Sequence, residues 1–419
     1  MGKGKGDTSQ SLIGRVLLGI LGLWIVWFFG FRGKTGTPEV AQRDLELAKE
    51  AAGVGAFCGV GMGDDELVNS LNAFGASVFD AMIASNSKEN VLFSPISIAA
   101  AMSMVRLGTT PGSPGERELD KFLPCAGNVM EKLRGELQME TEAVQTKFVN
   151  SLWMSQSLNP AYKWQMDKLS VHTAALPTTP DPINQWVEAQ TRGLIKNVLA
   201  RLDKDTIAIL VNVVYFKGQW SSQFSKTATV DGLFTHADGS TETCKMMMKT
   251  AQTNFRYRKL PSGTASVQLP YGKSGDFYAI VTLPSAGSVP NPHEATLSGP
   301  WEIKKVKVQM PRFKAEFGAS VKDILRSMGI ESIFSELGML KGICTRDDAI
   351  IGDVAHKAVV EVDEYGTEAA AATTVTMMRM SLDTRPSIEF LVDRPFLFTI
   401  QHRSGMVLFS GVINKPNFF

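Results

Sequence analysis

The apolar patterning of this 419-residue chain switches on at Leu67 and does not lapse before Phe418. Leu67, Leu71, Phe74, Val78, Phe79 and Met82 recur at the spacing of one helix face, and core-forming runs follow one another to the carboxyl end. A stretch this long without an internal linker must bury one large core, so a single domain over 67–419 is expected. Within it, 211–216, 278–283, 306–310 and 396–400 read as strands, and 183–199 and 319–328 as helices. No repeat period appears. Helices gather in the first half and strands in the second, which points to an α+β fold rather than a doubly wound parallel sheet.

The other apolar stretch stands apart, near the amino terminus. Residues 16–31 carry no charge, are rich in Leu, Ile, Trp and Phe, and lie between Lys3, Lys5 and Arg15 on one side and Arg32 on the other. Its 16 residues span about 24 Å as a helix, a little short of a bilayer core of about 30 Å, and snorkelling Arg15 and Arg32 close the gap. Phe29-Gly30-Phe31-Arg32 puts bulk and charge where a signal peptidase needs small residues. Residues 1–34 are therefore expected to form a targeting segment, an uncleaved signal-anchor holding the domain on the lumenal or extracellular side; the alternative is a cleaved signal peptide and secretion to the extracellular space. Gly6 stands where N-myristoylation requires Ser or Thr. Residues 35–66 read as a tether with room for a short helix over 45–52.

Charge and motif content exclude several functions. Lys plus Arg total 43 against 42 for Asp plus Glu, a formal charge of +1, so no field recruits nucleic acid. Cys58, Cys125, Cys244 and Cys344 are too scattered to build a metal knuckle or a disulfide scaffold, and their pairing stays open. No hydrolase elbow, zincin, P-loop or dinucleotide motif is present. His172, His236, His293, His356 and His402 each lack a motif placing a nucleophile alongside. No cofactor is implied.

The informative segment runs from Glu361 to Ser381. Its run Ala369-Ala370-Ala371-Ala372 favours helix, whereas Thr373, Thr374, Val375 and Thr376 are β-branched and favour extended backbone. Read with period two, Thr367, Ala369, Ala371, Thr373, Val375 and Met377 form one face free of charge. Such a strand can slip between existing strands, because small side chains part the neighbours little and nothing charged is buried. This stretch resembles the hinge and reactive-centre loop of the serpins. Further blocks resemble that family in series: 91–98 (VLFSPISI), 183–195, 210–220 ending in Trp220, 308–314 (VQMPRFK), 353–358 (DVAHKA) and 393–398 (DRPFLF). The segments 283–301 and 169–181 are abbreviated relative to the family.

The resemblance implies three β-sheets surrounded by about nine helices, with an exposed reactive-centre loop over about 364–386. It further implies inhibition of a serine protease by a suicide mechanism, in which the cleaved loop inserts into the main sheet and traps the acyl-enzyme as a covalent 1:1 complex of a monomeric inhibitor. On this basis Glu364, Gly366, Thr367, Glu368, Ala369, Ala370, Ala371, Ala372 and Thr373 would form the hinge. Ser94, Ser97, Asn212 and His356 would form a polar shutter under the sheet, and Trp220 the breach where the loop enters. Counting from Glu364 in the usual register puts the scissile bond between Met380 and Ser381, with Arg379 as rival. A methionine there suits elastase-like or chymotrypsin-like proteases, and an arginine trypsin-like ones. The competing reading is a non-inhibitory serpin acting as chaperone, carrier or binding module.

Overall fold

The computed structural model describes residues 43, 46, 63–85, 89–123, 126–249, 254–292, 294, 300–344, 346–367 and 386–419. The chain divides into two units, 1–49 and 50–419. In the first, Arg43 and Glu46 are helical; the apolar stretch 16–31 and the helix expected over 45–52 otherwise lie outside the described residues. Everything below concerns the second unit.

Its first described element is helix α1 (Asp64–Ser85), which begins three residues before the domain start expected at Leu67, because Asp64, Asp65 and Glu66 supply the acidic first turn that suits a helix amino terminus. Although α1 is apolar and long enough to cross a membrane, Leu67, Val68, Leu71, Phe74, Val78, Phe79 and Met82 are buried in the protein core. Strand β1 (Val91–Phe93) leads into α2 (Pro95–Arg106), in which every residue is buried. Gly75 lets the two helices meet: a Cβ there would stand 2.6 Å from the Pro95 side chain. Helices α3 (Pro114–Asp120) and α4 (Ala126–Lys132) follow.

The main sheet has seven strands: β2 (Met139–Glu140), β3 (Val144–Met154), β4 (His172–Ala175), β5 (Ala208–Gln219), β12 (Phe313–Ser320), β13 (Asp353–Val362) and β14 (Gly366–Thr367), in the order β12-β13-β14-β5-β3-β2 with β4 beside β3. Strand β5 is buried on both faces. Leu210, Val214 and Phe216 belong to the core that includes α2, while Ile209, Val211 and Val213 pack with Ile183 and Val187 of α6 (Asp181–Gln190). Helix α5 (Pro160–Lys168) sits between β3 and β4 in the chain, its first turn capped by the Asn159 side chain accepting from the Ala161 amide at 2.9 Å.

A second hydrogen-bonded array of ten strands folds around the remaining core. It comprises β1, β17 (Val407–Ile413), β16 (Phe396–His402), β10 (Phe277–Leu283), β9 (Ala265–Tyr271), β8 (Asn254–Lys259), β11 (Glu302–Pro311), β7 (Thr241–Met248) and β6 (Val230–Thr235), with β15 (Ile388–Leu391) parallel to β11. Strand β11 divides it into two sheets, since Glu302–Lys305 pairs with β8 and Gln309–Pro311 with β7. The described residues thus hold three sheets and, with α7 (Lys322–Ser327) and α8 (Ser332–Ser335), eight α-helices.

Two helices differ from expectation. The helix expected over 183–199 stops at Gln190, where Arg192 and Gly193 turn left-handed at φ +54° and +83°. The segment 319–328 is split, because Ala319 and Ser320 extend β12 by pairing with His356 and Ala355, and only Lys322–Ser327 is helical. Long-range ladder pairing overrides local helix propensity there.

Candidate functional site

Strands β5 and β13 run parallel down the middle of the main sheet, with Asp353 to Ala358 in register with Ile209 to Val214. Beyond those residues a third segment stands between them. The chain leaves β13 at Val362, turns, and returns as β14, whose Thr367 pairs with Val362 on one side while Gly366 and Thr367 pair with Gln219 and Gly218 on the other. The turn is built by Asp363, whose Oδ1 accepts from the amides of Tyr365 at 2.8 Å and Gly366 at 3.0 Å. Burial pushes the Asp363 carboxyl above its ordinary pKa, against the pull of those bonds.

Two glycines make the wedge possible. A Cβ on Gly366 would come within 1.9 Å of the Gly218 carbonyl oxygen, and a Cβ on Gly218 would meet the rings of Phe216 and Tyr271 at 2.7 Å. Thr367 is fully buried, and its Oγ1 lies 2.6 Å from the Tyr271 hydroxyl. Burial raises the pKa of that phenol, so it is a neutral hydroxyl. Trp220 stacks on Tyr271 at 4.5 Å and grips the turn twice, its indole N–H donating to the Asp363 carbonyl at 2.9 Å and its amide to the Tyr365 carbonyl at 2.8 Å. A third bond runs from the Phe224 amide to the Glu364 carbonyl at 2.9 Å. The Glu364 carboxylate is buried; Oε1 accepts from Thr229 Oγ1 at 2.5 Å and faces Arg312 Nε at 3.7 Å, while Oε2 has no partner. Lys226 lies over the Tyr365 ring at 4.4 Å.

Under the point where β5 and β13 still pair, a polar chain crosses the sheet. The Ser94 amide, at the entry to α2, donates to His356 Nε2 at 3.1 Å, and His356 Nδ1 faces Asn212 Oδ1 at 3.4 Å. Ser97 Oγ donates to the same Asn212 oxygen, and Asn212 Nδ2 donates to Asn150 Oδ1 on β3. These roles fix His356 as the neutral Nδ1–H tautomer, and burial lowers its pKa to about 4. The Ser94 hydroxyl is buried without a partner.

The structure therefore brings Ser94, Ser97, Asn212 and His356 together, and Trp220 with Glu364, Gly366 and Thr367. Glu368, Ala369, Ala370, Ala371, Ala372, Thr373, Arg379, Met380 and Ser381 lie outside the described residues, as do Cys58, Cys125 and His293; Cys244 and Cys344 are free and buried. Asn150, Tyr271, Phe224, Thr229 and Arg312 complete the two clusters and were not singled out by sequence. Asn150 stands among other polar residues of its strand, Gln145, Thr146, Lys147 and Ser151, so nothing in the sequence sets it apart as Asn212 is set apart.

A mixed fold of three sheets and helices, with the two-residue strand Gly366–Thr367 seated between β13 and β5 of the main sheet, is the architecture to be matched. A family profile described as serpin (serine protease inhibitor) matches residues 69–416. The chain belongs to the serpin family. Human antithrombin-III is 31% identical over 385 residues, covering 84% of this chain and 82% of that protein. Bovine leukocyte elastase inhibitor is 30% identical over 383 residues, covering 84% and 100% respectively. Among solved structures, uncleaved ovalbumin superposes with a TM-score of 0.73 at 25% identity, over 84% of this chain and all of that one. Human thyroxine-binding globulin complexed with its ligand gives 0.74 at 22% identity, over 84% and 98%. The family is mostly one of protease inhibitors rather than enzymes, and it includes non-inhibitory members.

Proposed function

We propose that this chain is a serine-protease inhibitor that works once. The protease serine attacks the Met380 carbonyl, the Met380–Ser381 peptide bond breaks, and the amine of Ser381 leaves; the ester to Met380 persists because the freed strand moves before water reaches it. The observation that carries this reading is β14, whose Gly366–Thr367 pair is already hydrogen-bonded as a strand between β13 and β5. Insertion would continue that ladder, not begin a new one, so its nucleation cost is already met. The fourteen residues from Thr367 to Met380 span about 46 Å as a strand, enough to carry an attached protease down the sheet. Roughly a dozen new ladder hydrogen bonds at about 1 kcal/mol net each supply the driving force.

The uncharged face from Thr367 to Met377 favours insertion over the carrier or chaperone alternative, which needs no such face. Resemblance to antithrombin-III and to leukocyte elastase inhibitor supports the same reading. Methionine at the cleaved position fits an apolar pocket of elastase-like or chymotrypsin-like type, and we place the domain in the secretory pathway, anchored by 16–31 or released after cleavage.

The test mixes the purified protein with a panel of serine proteases. The expected product is a complex that survives denaturing electrophoresis, with release of a peptide beginning at Ser381. A peptide beginning at Met380 would move the target to trypsin-like enzymes, and cleavage without any complex across the panel would favour the carrier reading.

A further inference from the structure

The segment that grips the hinge is itself held from behind. Trp220 and Phe224 bond the backbone of Asp363 to Tyr365, and between them lies Ser222. Lys249, one residue past β7, has its amide tied to the Val308 carbonyl at 3.0 Å and its side chain folded inward, 4% exposed. Its Nζ donates to the Ser222 carbonyl oxygen, lies 3.3 Å from Ser222 Oγ, and sits 4.5 Å from the centre of the Phe224 ring, which packs edge-on against Trp220. The lysine thus touches the gripping segment at its middle and at the ring of the residue whose amide holds Glu364.

We infer that Lys249 is a positioning residue for loop insertion, acting through Ser222 and Phe224 on the hinge backbone. The inference deepens the inhibitory reading above and rests on it.

The charged groups nearby are all engaged elsewhere. Lys245, on the same strand, pairs with Asp231 of β6 at 2.7 Å, and Lys307 of β11 with Glu389 of β15 at 3.2 Å. Arg312 faces Glu364, Lys226 covers Tyr365, and Asp363 caps its own turn. Among the described residues no carboxylate pairs with Lys249, and burial alone lowers its pKa to about 7. A cation buried without a counter-ion is better off in water, so protonation favours release of the segment and deprotonation favours its grip. If release hydrates the amine fully, the grip strengthens up to about tenfold per pH unit above 7 and levels off below.

Exchange of the Trp220 and Phe224 amides in the full-length protein reads the grip directly, without any protease. Between pH 6.5 and 8.5, after correction for intrinsic exchange, protection should be flat below pH 7 and climb towards about tenfold per unit above it. Lys249→Arg, a permanent cation, should remove the slope and leave the amides weakly protected. Lys249→Gln, a neutral donor to the same carbonyl, should remove the slope and leave them strongly protected. The number of inhibitor molecules consumed per protease should fall with pH in the parent alone. A flat parent profile, or an unchanged slope in either variant, overturns the role of Lys249. A sloping profile in a protein that traps no protease keeps the grip and discards the inhibitory reading.

Discussion

At the scale of single residues, the wedge depends on the absence of two side chains. Gly366, paired with Gln219, lies so close to β5 that a methyl group on it would overlap the carbonyl oxygen of the neighbouring Gly218, an atom that cannot rotate away. Gly366→Ala should expel β14 from the gap at a cost of about 1 kcal/mol in ladder bonds, leaving the rest of the fold intact. Insertion would then start from nothing, and the inhibitor consumed per protease should rise about fivefold, the ratio that about 1 kcal/mol sets; titration of residual protease activity measures it. His356 makes a different prediction. Its folded pKa of about 4 lies below the ordinary 6.5, so the unfolded chain binds the extra proton between those values. Stability is therefore complete above about pH 6.5 and declines as pH falls towards 4, by up to about 3 kcal/mol. Because the same imidazole accepts from Ser94 and faces Asn212, acid should loosen the sheet centre first. Urea midpoints between pH 7 and 4.5 test this, and His356→Gln should flatten the profile.

At the scale of elements, what was legible in the sequence was whatever local pattern dictates. Strand β5 declares itself as an apolar run interrupted by Asn212, and the helix-period face of α1 is visible from Leu67 to Met82. The charge-free alternate face that begins at Thr367 is likewise a property of consecutive residues, and of it only Thr367 lies among the described residues. The ends of α6 and α7 were not legible, because a left-handed turn at Arg192 and the pairing of β12 with β13 decide them. Nor were Asn150, Tyr271 and Arg312, whose meaning comes only from partners far along the chain. The position of Thr367 turns this into a prediction. In the inhibitory reading it is the first inserting side chain, and it is fully buried against Tyr271 and flanked by β13 and β5. Thr367→Arg would have to bury a guanidinium where the threonine hydroxyl now meets the neutral Tyr271 phenol, which stalls the strand. The loop should still be cleaved, and the variant should behave as a substrate, releasing active protease. Unchanged complex yield on denaturing gels would show that insertion at Thr367 is not part of the mechanism.

At the scale of the whole molecule, a sheet that parts above Ala358 and Val214 is a sheet short of a strand. Below that level β5 and β13 satisfy each other; above it each keeps its outer neighbour, β3 or β12, while the edges they turn towards each other meet only the two residues of β14. In the inhibitory reading proposed above, the chain's link to β15, which pairs parallel to β11 at Ile388–Leu391, keeps the intact protein from filling that gap. On that reading, cutting the chain between Met377 and Ile388 removes the constraint. The cut chain should then fill the gap with its own loop, gaining roughly a dozen ladder bonds and the burial of the Ala and Thr face, of order 10 kcal/mol in all. For a domain of about 350 residues a gain of that order raises the unfolding midpoint by about 14 °C, since at about 2.1 cal/mol/K per residue each kcal/mol is worth about 1.4 °C. Limited digestion with a protease that is not a target, followed by calorimetry on the nicked but unseparated chain, measures it. Gly366→Ala nicked in the same way provides the control: obstructed at its first step, it should gain only part of the increase. An intact parent and a nicked parent that unfold at the same temperature would mean that the sheet does not accept the strand, and the driving force for trapping a protease would be absent.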